Sequence, residues 1–153
     1  MRGGGGGGGI EFADVEAKDA MEIRQWDPSA PSWRIVNPGI CLEGKCQTAT
    51  CEAKGNMVIY SHGMRNYDLL ADNAKPCCPI CKEWIPVITC GFSQCKWKWT
   101  GKKQKNHTSP PVKCDSGAKW QIAENAYHRF DALAGEGPVI WSELKFLIKS
   151  AAS

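Results

Sequence analysis

Two cysteine pairs constrain this chain more than any other feature. Cys46 and Cys51 form a C-x4-C pair, and after a gap of 26 residues Cys78-Pro79-Ile80-Cys81 forms a C-x2-C pair. A C-x2-C turn brings two thiolates to one point from a tight loop, and tetrahedral zinc then needs two more ligands. The chain carries nine cysteines in 153 residues. The total is odd, and the start lacks the charged-then-apolar pattern of a secretory leader. Both points favour metal ligands over disulfides in a reducing compartment, with the cytoplasm as first expectation and the nucleus as second.

Two pairs compete to complete the site. Cys46 and Cys51 precede the β-prone run Met57–Tyr60, and Cys78 and Cys81 precede another at Trp84–Thr89. Two cysteine-bearing turns from separate hairpins would then clamp one zinc ion, as in a zinc ribbon. The compact alternative uses Cys90 and Cys95, which also form C-x4-C. Cys41, Cys77 and Cys114 have no partner at ligand spacing and are read as spare thiols, with Cys77 able to stand in for Cys78.

The segment from Cys78 to Cys95 also has the outline of half a RING finger. Phe92 occupies the place of the histidine ligand, Lys98 that of the next cysteine, and the last cysteine pair is missing. Four ligands cannot cross-brace two ions, so a RING-like ubiquitin-ligase role is only an alternative.

Short strands are expected over Trp33–Val36, Met57–Tyr60, Trp84–Thr89 and Lys96–Thr100. The last alternates strictly, so Trp97 and Trp99 face a core while Lys96 and Lys98 face away. Lys96, Lys98, Lys102 and Lys103 form a candidate basic binding surface, with the strand carrying Lys96 and Lys98 read as an edge. Interleaved lysine and tryptophan is also the chemistry of single-stranded nucleic-acid binding. The alternation argues against that, because the two residue types point to opposite faces. The net charge of +3 is too small to imply a nucleic-acid partner.

Further on the period changes. Trp120, Ala123, Tyr127, Phe130 and Ala134 are spaced as one helical stripe, and Ser142–Ile148 reads as a closing helix with Leu144, Leu147 and Ile148 on its apolar side. The expected fold is therefore α+β, a small antiparallel zinc-ribbon-like sheet with a C-terminal helical segment. Residues 1–32 are read as a flexible glycine-rich segment, 33–101 as the zinc-binding β domain, 102–117 as a polar linker, and 118–153 as helical and packed on the β domain. No run of residues reaches the ~18–20 apolar positions of a membrane helix.

His62, His107 and His128 read as turn, linker and surface residues, and no local cysteine–histidine–acid arrangement suggests catalysis. Asp131 is followed by Ala132, Leu133 and Ala134, which removes the oxygen ligands of a calcium loop. Gly3–Gly9 follows no strand and lacks the lysine of a phosphate-binding loop. It behaves as a tether of about 15 Å root-mean-square length.

Ile10–Val15, Trp33–Ile35, Pro38–Cys46, Cys78–Lys82, Pro86–Phe92 and Ala126–Phe130 together resemble a cysteine-rich, zinc-ribbon-like module of unicellular eukaryotes. In that group the module often lies downstream of ubiquitin or ubiquitin-like domains. Arg2-Gly3-Gly4 is similar to the ubiquitin tail, although a plain glycine tract reads the same way. The resemblance implies an architecture and a ubiquitin-like neighbourhood, with no mechanism attached. The expected function is a non-enzymatic, structural-zinc protein-interaction module associated with ubiquitin-like proteins.

Overall fold

A computed structural model describes residues 9–152 except Lys18 and Glu136. Gly3–Gly8 and the ubiquitin-like reading of Arg2-Gly3-Gly4 lie outside the described residues. The strands are β1 (Ile10–Phe12), β2 (Met21–Arg24), β3 (Gly39–Lys45), β4 (Met57–Gly63), β5 (Tyr67–Asp68) and β6 (Val87–Ser93). They continue with β7 (Cys95–Gln104), β8 (Val112–Asp115), β9 (Gln121–Ala123), β10 (Tyr127–Phe130) and β11 (Val139–Ser150). Among the described residues the only helical element is one 3-10 turn, Ser32–Arg34.

All pairings between strands are antiparallel. One sheet runs β1-β11-β7-β8, with β5 also on β11 and β9 also on β7. The other runs β2-β10-β6-β3-β4. Their inner faces share one core. Phe92 of β6 stacks on Trp97 of β7 with ring centroids 4.1 Å apart, and Phe130 meets both rings edge-on. Phe12, Ile40, Leu42, Trp141, Leu144 and Phe146 complete this layer, each without solvent exposure. Trp97 and Trp99 turn inward as their alternation predicts.

The expected α+β fold is corrected: the described residues are nearly all β and include no C-terminal helical segment. The stripe from Trp120 to Ala134 becomes β9, β10 and the turns around them. Tyr127 and Phe130, three apart, would share a helix face but lie on opposite faces of a strand. Both are buried because β10 is covered on both sides. The expected closing helix is β11. Its bulge between Trp141 and Glu143 turns two inward residues, Trp141 and Leu144, into an i,i+3 pair that imitates helical spacing. Beyond the bulge Leu144, Phe146 and Ile148 are buried with the period of a strand.

Strands also occur where flexible or linking chain was expected. Within residues 1–32, β1 pairs with β11 and β2 with β10. Within 102–117, β8 pairs with β7. Among the described residues no helix is long and apolar enough to cross a membrane, which says nothing of crossing by strands.

Candidate metal centre

The loop between β3 and β4 carries Cys46 and Cys51, and the loop before β6 carries Cys78 and Cys81. In the first loop the Cys46 amide donates to Asn56 O and the Gly55 amide to Cys46 O, which closes the hairpin end. The Cys51 amide donates to Thr48 O, turning its side chain back toward Cys46. In the second, the Cys78 amide donates to Glu83 O and the Lys82 amide to Cys78 O. This tight return requires a left-handed backbone at Lys82, with φ 67°. Gly44, at the end of β3, lets the two loops come together: a Cβ there would lie 2.3 Å from the Pro86 carbonyl oxygen.

The four sulfur atoms all lie within 4.8 Å of one another. Cys46 Sγ is 3.8 Å from Cys81 Sγ, and Cys51 Sγ is 3.9 Å from Cys78 Sγ. A tetrahedron of thiolates with metal–sulfur bonds of about 2.3 Å has edges of about 3.8 Å, so the cage fits a metal ion. The separations are far beyond the ~2.05 Å of a disulfide. Four thiolates on a divalent cation leave surplus negative charge, and the surroundings offset it. The Ala53 amide donates to Cys51 Sγ and the Ile80 amide to Cys78 Sγ, both at 3.4 Å. The Thr48 hydroxyl lies 3.2 Å from Cys81 Sγ. That contact, followed by a backbone hydrogen bond, brings the Cys81 thiol down to about 7, so it supplies a thiolate near neutral pH. At Cys51 the Ala53 amide is outweighed by burial and the neighbouring thiols, which push it up to about 12, and burial raises Cys78, so these two ionise only as a cation binds.

Cys90 and Cys95 stand elsewhere. Both are fully buried, on β6 and β7, and burial pushes Cys90 well above the ordinary thiol value and Cys95 up to about 11. They are packing residues. Cys41 is buried, while Cys77 and Cys114 are partly exposed; none belongs to the four-sulfur cluster. Among the described residues no second group of His, Cys, Asp or Glu gathers at metal-binding distances, so the eight-ligand arrangement of a RING finger is missing from them.

The lysine residues separate. The strand carrying Lys96 and Lys98 is not an edge, because β7 lies between β11 on one side and β8 and β9 on the other. Lys103 pairs with Glu16 at 2.6 Å and Asp14 at 3.2 Å. Lys102 stands across from Glu143 and Lys113. Lys98 and Lys149 both hold their ammonium groups over the Trp120 ring, 4.6 and 4.3 Å from its centre.

One charged cluster was not anticipated. Glu43 of β3 is fully buried on the outer face of the five-stranded sheet. Its Oε1 accepts from Arg34 Nη1 at 2.6 Å and Arg129 Nη2 at 3.2 Å, and its Oε2 from Tyr127 OH at 2.5 Å and Arg129 Nε at 2.9 Å. Arg129 Nη1 also reaches Glu22 at 2.8 Å. Burial by itself would raise the Glu43 carboxyl. The hydrogen bonds and charge of Arg129, then of Arg34, outweigh it and hold the group below its ordinary 4.5. These partners are up to 107 positions apart in sequence, so local pattern carries no signal of the cluster. Comparison with protein-family models, with curated proteins and with solved structures finds no match to this chain.

Proposed function

We propose that this chain is a structural-zinc protein-interaction module. The observation that carries the reading is the closed ligand set: four protein thiolates surround one point and leave no coordination position for water or substrate, the arrangement of structural rather than catalytic zinc. Soft sulfur ligands in a tetrahedron select zinc or iron among common metals. Zinc fits a site whose task is to pin two loops at one end of the five-stranded sheet. Metal-bound thiolates suit the reducing cytoplasm or nucleus. Its finer form, a ubiquitin-like partner, rests on the resemblance of the cysteine-bearing segments.

Metal analysis of the purified full chain tests the zinc reading, with one zinc per chain expected. Iron in its place would refute the zinc assignment, and an intact fold after complete chelation would refute the structural role. Cys46→Ser should lose the metal. Two zinc ions per chain together with autoubiquitination would favour the RING-like alternative. Titration with ubiquitin addresses the finer form, which fails if no binding is measured.

A further inference from the structure

The register of the six-stranded sheet places Lys96 directly across from Lys149, both facing away from the core. Lys98 lies across from Leu147, and Lys145 is exposed two pairs further along, on the same face. Trp120 lies among them, with Lys98 and Lys149 drawn to its ring. Ile122, across from Lys96, is 56% exposed. This half of the face is thus basic with an apolar fringe. Asp68, across from Lys145, is engaged through its Oδ1 by the amides of Leu70 and Ala71.

We propose that this half-face is the docking surface of the module and binds an acidic segment of a partner protein. The inference rests on the interaction-module reading and supplies its partner chemistry. Charge complementarity calls for an anion, and the aromatic ring decides which kind. Single-stranded nucleic acid gains much of its affinity by stacking bases on open aromatic faces, whereas the Trp120 ring is held by two ammonium groups. Carboxylates need only those ammonium groups, which lysine presents as compact point charges. Apolar side chains between the acids of the partner would cover Ile122 and Leu147. The surface differs from the one read in the sequence: Lys145 and Lys149 belong to it, and Lys103, tied to Asp14 and Glu16, does not.

The test uses the zinc-loaded full chain and fluorescence anisotropy with two labelled probes, a peptide of alternating Glu and Leu and an oligothymidylate. The peptide should bind, weaken as salt rises, and lose about tenfold or more in affinity with Lys98→Glu/Lys149→Glu. Lys98→Gln/Lys149→Gln should lose affinity in the same direction, which guards against a fold damaged by charge reversal. Lys75→Glu/Lys105→Glu, with the same change in net charge, should bind nearly as the parent does. Absence of peptide binding, equal loss in both reversal variants, or tighter binding of oligothymidylate would overturn the proposal. Zinc content and thermal melting are measured on every sample. Peptide binding that survives in a folded, zinc-free chain would instead refute the structural-zinc role and leave this surface standing.

Discussion

Replacing Glu43 by glutamine tests whether the buried charge cluster ties together β2, β3 and β10 and holds the Ser32–Arg34 turn against them. The carboxylate accepts four hydrogen bonds, two at each oxygen. Glutamine keeps one oxygen and puts an NH2 group at the other position. Facing Arg34 and Arg129 Nη2, that group meets two donors. Facing Tyr127 and Arg129 Nε, it meets one donor and one hydroxyl that can reverse its role. The second orientation is preferred and still leaves one donor opposed to another. It also leaves two guanidinium groups with Glu22 as the remaining carboxylate of the cluster. Breaking a buried ion pair from one side costs about 3–5 kcal/mol. Arg34 is 22% exposed and can recover some hydration, so the lower end, about 3 kcal/mol, is expected. That corresponds to a fall in Tm of roughly 6–12 °C for a chain this size.

Urea denaturation of the zinc-loaded protein at neutral pH measures the loss, read as a lower midpoint at unchanged slope. An acid series adds a second readout. Because the folded-state pKa of Glu43 is depressed, its contribution is fully present above the unfolded value of 4.5 and is lost as pH falls through the lower folded value. The parent protein should therefore lose stability below pH 4.5 in a step that the variant lacks. A loss under about 1 kcal/mol, the range of an exposed pair, would refute the reasoning.

Other substitutions probe the loops and the core. Lys82→Gly should raise stability by about 1 kcal/mol, because φ 67° strains a residue bearing a Cβ; the check is a higher urea midpoint and slower zinc loss to a chelator. Gly91→Ala would place a Cβ 2.4 Å from the Tyr127 ring, so the ring must move from Glu43 at a cost of about 1–3 kcal/mol, seen in thermal melts. Cys90→Ala should leave zinc content unchanged and cost on the order of 1 kcal/mol, in contrast to metal loss in Cys46→Ser; metal analysis of the pair separates packing from ligation.

Local spacing made the cysteine cluster legible, since C-x4-C and C-x2-C each close a short loop, but C-x4-C occurs twice and only the fold chooses Cys46 and Cys51 over Cys90 and Cys95. Strict alternation made the inward direction of Trp97 and Trp99 legible as well. The C-terminal third was misread because apolar spacing has two geometric solutions there. In β10 both faces are covered, so burial of Tyr127 and Phe130 has no strand period. In β11 the bulge shifts the phase between Trp141 and Leu144, and the adjacent Leu147 and Ile148 complete the imitation of a helix. The Glu43 cluster was hidden for another reason: its strand members meet through the pairing of β10 with β2 and β6, and of β6 with β3, and Arg34 joins them from the Ser32–Arg34 turn.

The position of β11 bears on the order in which the molecule is assembled during synthesis. The strand pairs with β1, β5 and β7, yet it is the last of the eleven to be made. Both cysteine loops emerge early, so their four thiols can come together before the six-stranded sheet is complete. Trp97 and Trp99, by contrast, leave the ribosome before the strand that flanks them along the sheet. At about 5–20 residues per second, that side of β7 stays open for several seconds. A nascent chain with two inward-facing tryptophans and an unpaired strand is a substrate for chaperones and for its own neighbours on a polysome, so the yield of folded protein should depend on how quickly residues 139–150 follow.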